Sequence, residues 1–207
     1  MKKILLAVFA FAAVFAVALP ASAHVTVTAP GATKGGSDQE ITFRVPVEKE
    51  IDTVGLTVAL PTDTPIASVD IKPIPGWTHT EKTTKLATPI KTDDGEITEA
   101  VSQITWTAQP GQGLKPGEYG DFTFIAGQLP DVSELTFGAI QTYSDGSVVR
   151  WNQHAAPGST VEPDFPAPTL HLTAADDDAT TSSSSGSGSN TAPIILSIVA
   201  LVLAAAA

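Results

Sequence analysis

The 207-residue chain has no cysteine, and its single methionine is Met1. Without thiols there is no disulfide framework, no thiolate metal site and no redox-active dithiol. Met1 is lost with the N-terminal segment described below, so a thioether site goes too, and any metal here must be held by nitrogen and oxygen. Positive charge is also scarce, with 11 Lys and Arg against 22 Asp and Glu. That deficit argues against nucleic acid and against docking on anionic lipid, and makes a cation the more natural partner. Long apolar runs are confined to the two ends of the chain. Between them no stretch keeps a 3.6-residue apolar period for three turns, which excludes a helical body.

The start carries Lys2 and Lys3, an apolar run from Ile4 to Leu19 broken by Pro20, and the small triplet Ala21-Ser22-Ala23. These are the parts of a secretory signal peptide, expected over 1–23, and the short apolar run disfavours a retained membrane helix. Cleavage after Ala23 leaves 9 basic residues against 22 acidic ones. It also makes His24 the first residue of the mature protein. A free terminal amine and the Nδ1 of the same residue close a chelate ring on one ion, and the Val25 amide can join if the ion displaces its proton. An internal histidine cannot do this.

At the far end come Asp176-Asp177-Asp178 and a serine/glycine tract from Thr181 to Ser189, read as a tether over 173–191. The apolar stretch from Ala192 to Ala207 follows. It is shorter than the roughly 20 residues a bilayer crossing needs. We read it as a C-terminal membrane anchor, either marginal or interrupted by the end of the sequence, with a buried or surface helix as the competing assignment. The expected location is extracytoplasmic, with the domain outside and anchored to the cell membrane.

Residues 24–172 are enough for one domain with its own core. His24 to Thr28 and Glu40 to Val45 alternate as strands do, and Thr53 to Leu60 sets Val54, Leu56, Val58 and Leu60 on one expected face. Further candidates are 66–71, 97–106, 119–126, 135–142 and 147–151. Turn signals separate them, among them Pro75-Gly76, Asp94-Gly95, Pro116-Gly117 and Asp145-Gly146. Eight or so short strands at this spacing predict an all-β fold, an antiparallel β-sandwich with a barrel as the nearest competitor. Pro157 to Pro168 reads as an extended exit segment.

An amine, an imidazole and an amide nitrogen suit copper(II), which prefers tetragonal nitrogen and oxygen donors, better than zinc(II). A further ligand is needed. The internal histidines His79, His154 and His171 lack the short-range partners of a zinc site. Glu118 and Asp121 bracket the start of a strand and, three apart, point to opposite faces, so one of them at most reaches a common site. Each is by default a hydrated surface acid. Trp77, Trp106 and Trp151 are by default core residues, although a tryptophan beside an ion would exclude water from it.

Ala23-His24-Val25-Thr26-Val27, Val69 to Trp77 with its Pro75-Gly76-Trp77, Ile104-Thr105-Trp106, Pro116 to Phe122 and Tyr143 to Trp151 together resemble the YcnI-like family of secreted copper-binding proteins. The resemblance runs over nearly all of 24–151. It implies a cupredoxin-like or related β-sandwich that binds copper(II) through a single-histidine variant of the histidine brace. On this resemblance His24 is the chelating residue, Glu118 the carboxylate with Asp121 in reserve, and Trp151 the neighbouring aromatic. Gly120 and Asp121 depart from the bulkier or glutamate residues often found there in relatives, which leaves the rim of the site open.

The expected function is therefore a non-enzymatic copper(II)-binding protein in copper acquisition, delivery or homeostasis. Its partners would be the copper ion and a membrane copper transporter or another copper-handling protein. Two alternatives stand beside it. One is a copper monooxygenase-like enzyme, which needs a second brace histidine such as His154. The other is a structural cell-surface β-sandwich without metal. Because the donor nitrogens must shed their protons, copper(II) affinity is expected to fall from about pH 7 to about pH 5.

Overall fold

The computed structural model describes residues 24–92 and 95–175; the expected signal segment, the tether from Asp176 onward and the expected anchor lie outside the described residues. Eleven strands are described: β1 (Thr26–Thr28), β2 (Ser37–Pro46), β3 (Thr53–Ala59), β4 (Val69–Ile71), β5 (Trp77–Thr92), β6 (Gly95–Ala108), β7 (Tyr119–Gln128), β8 (Glu134–Thr136), β9 (Gly138–Tyr143), β10 (Val148–Trp151) and β11 (Thr169–His171). They form a four-stranded sheet, β1-β2-β7-β4, a five-stranded sheet, β10-β9-β3-β6-β5, and the pair β11-β8. Every strand pairing is antiparallel. The all-β antiparallel expectation holds. Among the described residues no helix is long and apolar enough to cross a membrane.

Alternation builds the core. Ile41, Phe43 and Val45 of β2 are fully buried, as are Phe124 and Ala126 of β7, while Thr42 and Arg44 between them look outward. Leu56 and Val58 of β3 and Ile104 and Trp106 of β6 supply the facing layer. Phe43 meets Phe137 edge-on with centroids 5.1 Å apart, and Phe122 takes Trp106 at 5.5 Å and Trp77 at 5.1 Å. Trp77 and Trp106 thus serve the core.

In β3 the expected face is wrong at its first residue. Pairing with β9 steps from Thr53 opposite Tyr143 to Gly55 opposite Thr142, so β3 carries one extra residue there. Such a bulge reverses the inward phase. Thr53 is consequently buried and Val54 only half so, and a hydroxyl enters the interior where a valine was expected.

Two strands were not legible. β5 is a sixteen-residue edge strand that pairs with β6 across a long ribbon, and its Thr, Lys and His content gives no apolar alternation. β11 pairs with β8, so the proline-rich exit returns to the domain before leaving it. Thr173 is then tied to the fold, its amide donating to Ala32 O at 3.2 Å and its carbonyl accepting from Lys34 N at 2.9 Å. The expected 135–142 strand is split into β8 and β9 at Phe137, whose amide bonds to Pro168 O instead. The β9–β10 hairpin turns at Asp145-Gly146 as expected, with Gly146 at φ 82°.

Candidate metal centre

His24 stands just before β1, an outer strand of the four-stranded sheet, and Trp151 ends β10, an outer strand of the five-stranded sheet. Their rings meet edge-on, with centroids 5.7 Å apart at 61°. The candidate site therefore lies on the seam where two sheet edges come together.

A buried polar network fixes the indole. Gln141 is inaccessible to solvent, and its Nε2 donates to Pro46 O at 2.9 Å and to Thr53 Oγ1 at 2.8 Å. Its Oε1 accepts the Trp151 Nε1 hydrogen at 3.3 Å. All polar atoms of that amide group are thereby used, which is what a buried side-chain amide requires. The inward-turned Thr53 of the β3 bulge completes the set. With its N–H satisfied inside, Trp151 presents carbon to His24 and shields the imidazole from water.

The third element is the segment after β10. Gln153 N donates to Phe165 O at 3.0 Å and Gln153 Oε1 accepts from Phe165 N at 2.9 Å, so residues 154–164 form a closed strap. A turn inside it bonds Ser159 N to Ala156 O at 2.9 Å, with Gly158 at φ 78°. Phe165 packs edge-on against Trp151 at 5.6 Å. The strap brings Glu162 Oε1 to 3.2 Å from His24 Nδ1; the His24 side chain is 18% exposed and that of Glu162 69%.

Charges gather around the turn of the β9–β10 hairpin, at the end of β10 away from Trp151. Burial pushes the Tyr143 phenol above its ordinary range, and the negative charge of Glu48 adds to the effect. Lys49 Nζ lies 4.2 Å from the centre of that ring and 3.1 Å from Ser147 Oγ. Asp145 is held below the usual carboxylate range by hydrogen bonds from the Ser147 hydroxyl and amide.

Of the residues singled out by sequence, the fold brings His24 and Trp151 together. Glu118 lies elsewhere: it precedes β7, which is separated from β1 by β2, a spacing of roughly 10 Å. Its Oε2 closes its own turn by accepting from Lys115 N at 2.7 Å. Asp121 is committed to Arg44 through two bonds of 2.9 Å, which hold the guanidinium above its ordinary pKa. His79 is exposed on β5, His154 is exposed in the strap, and His171 Nδ1 is 3.7 Å from Glu134. Among the described residues no three His, Cys, Asp or Glu side chains gather as a metal cluster.

Sequence reasoning missed Gln141, Thr53 and Glu162. Gln141 was visible in principle, since it shares the inward phase of Ala139 and Tyr143. The Thr53 bulge and the approach of Glu162 leave no local trace.

A family model described as a domain of unknown function, DUF1775, matches residues 24–172, so the matched region opens at His24. The copper-binding protein CutI of Bacillus subtilis (strain 168) is 36% identical over 132 residues, 64% of this chain. The alignment spans 56% of that relative's length. An uncharacterized protein from Nocardia farcinica, whose crystal structure reveals an immunoglobulin-like fold, is 42% identical. It covers 72% of this chain and 98% of its own, with a TM-score of 0.59. The sandwich is thus of the immunoglobulin-like type, within the range left open by a cupredoxin-like or related fold.

Proposed function

The chain belongs to the DUF1775, YcnI-like family, and from that premise we propose that it is an extracytoplasmic, membrane-anchored copper(II)-binding protein whose His24 chelates the ion once cleavage after Ala23 frees its amine. Copper is cargo here, captured outside the membrane and passed to a membrane copper transporter or another copper-handling protein, or buffered there. The role is non-enzymatic. One observation carries this reading: the His24 imidazole is held against a buried indole with Nδ1 facing a carboxylate oxygen at 3.2 Å. That donor set, nitrogen and oxygen without sulfur, is the kind copper(II) accepts. The likeness to CutI, a copper-binding protein, supports it at family level.

His24 would supply the amine and Nδ1, and Trp151 would exclude water from one side. Glu118 is the carboxylate expected from the family motif; to take part it would have to leave the Lys115 turn. The test uses protein confirmed to begin at His24. Both His24→Ala and a single residue added before His24 should weaken copper(II) binding by about 100-fold or more, since each removes a chelate donor. Unchanged affinity in both would end the proposal.

A second reading, a structural cell-surface sandwich without metal, is favoured by the lack of any three-side-chain cluster among the described residues. A copper(II) titration of the correctly processed protein that yields no bound species would establish it. A monooxygenase-like brace has less support, because His154 stands exposed in the strap and makes no ring contact or ion pair with His24.

A further inference from the structure

We propose that the strap 154–164 is a latch and that Glu162 is the carboxylate donor it delivers to the ion held by His24. The inference rests on the copper(II) reading of His24. Geometry selects Glu162. Two donors each about 2.0 Å from one ion stand about 2.8 Å apart at a right angle and about 3.3 Å apart at a tetrahedral angle. The Nδ1 to Oε1 separation of 3.2 Å falls inside that interval. Glu162 thus stands at a ligand's spacing from the imidazole.

The strap's attachment makes the placement more than a chance encounter of surface side chains. Its ends are joined by the Gln153–Phe165 bonds, and Ala167 N adds a bond to Gln153 O at 2.9 Å. Phe165 rests on the same indole that roofs His24. The strap is therefore registered on Trp151, and Trp151 on Gln141. Between its pinned ends it is held more lightly: Val161 is 75% exposed, and the Val161 amide bonds to Ser159 Oγ within the strap itself. A segment fixed at both ends and open in the middle can swing Glu162 out to admit an ion and return it as a ligand. Exposed carboxylate and half-buried imidazole then divide the work, one giving access and the other retention.

The test compares wild type, Glu162→Gln, Glu118→Gln and His24→Ala, all starting at residue 24 and loaded with one equivalent of copper(II). Glu162 is largely exposed, so its replacement should leave folding intact. Three readouts apply: the copper(II) electron paramagnetic resonance spectrum, the rate of copper loss to excess chelator, and cleavage within 154–164 by a protease of broad specificity. If the latch is real, Glu162→Gln shifts the parallel hyperfine splitting and speeds copper loss about 10- to 100-fold. Copper protects the strap from cleavage in wild type and fails to protect it in Glu162→Gln. If Glu162→Gln matches wild type in all three while His24→Ala has lost the ion, the latch is refuted and the chelate stands. If His24→Ala binds as wild type does, both are refuted. A spectral change in Glu118→Gln with none in Glu162→Gln returns the carboxylate role to Glu118 and also refutes the latch.

Discussion

The β1–β10 seam and the outer part of the β5–β6 ribbon are both rich in polar side chains, and they handle them in opposite ways. At the seam, Thr53 and Gln141 are shut off from solvent and each meets a defined partner. On the ribbon, Thr83, Lys85 and Glu99 face water, and β3 pairs with β6 only from Gln103 to Thr107. Beyond Gln103 the ribbon has no third strand on its β6 side among the described residues, its pairing register slips after Lys82 and again after Lys85, and Leu86 and Ala100 are buried there. Polar content alone therefore does not fix a geometry. Burial with full hydrogen bonding does, because such groups are costly unless every bond is made.

Substitutions can break that contrast. The largest effect is expected from Gln141→Leu, which strips partners from Pro46 O, Thr53 Oγ1 and Trp151 Nε1 together; urea unfolding should register a loss of about 2–4 kcal/mol. Trp151→Phe removes one hydrogen bond and part of an indole. It should cost about 1–3 kcal/mol and change near-ultraviolet circular dichroism more than the midpoint suggests. On the ribbon, Lys82→Ala should stay within about 0.5 kcal/mol by the same measurement. If Lys82→Ala equalled Gln141→Leu, the distinction between the two regions would be lost.

Acidity sharpens it further through the β9–β10 hairpin. Tyr143 has a raised folded-state pKa, so its contribution is whole below about pH 10, where the unfolded phenol titrates, and is lost as pH climbs through the folded value. Asp145 is depressed, so its contribution is present above about pH 4 and disappears as pH falls through the lower folded value. Tyr143→Phe should flatten the alkaline limb of a stability–pH curve and Asp145→Asn the acid limb. Matching changes in Lys82→Ala would count against the hairpin as their source.

Much of the sandwich was legible because β2 alternates strictly over a buried face and β7 sets Phe122, Phe124 and Ala126 on one, and because Asp145-Gly146 supplies a turn whose backbone needs a glycine. The meeting of His24 with Trp151 was expected from the family resemblance. What stayed hidden depends on distant pairing. The Thr53 bulge exists only relative to β9, and β5 is a strand because β6 binds it, not because its own residues favour burial. Glu162 sits among prolines that read as an exit, and it is the bonding of Gln153 to Phe165 and Ala167 that turns that stretch back over the seam.

A seam is also where a sandwich comes apart. His24 belongs to one sheet's margin, and Trp151 with its strap belongs to the other's, so an ion gripped from both sides would act as a rivet across the opening. Its grip would then appear as heat resistance: at a free copper(II) concentration 100 times the dissociation constant, the folded form gains about 2.7 kcal/mol. Melting curves with and without the ion would read that gain directly, in a protein whose lack of cysteine leaves no disulfide to do the same job.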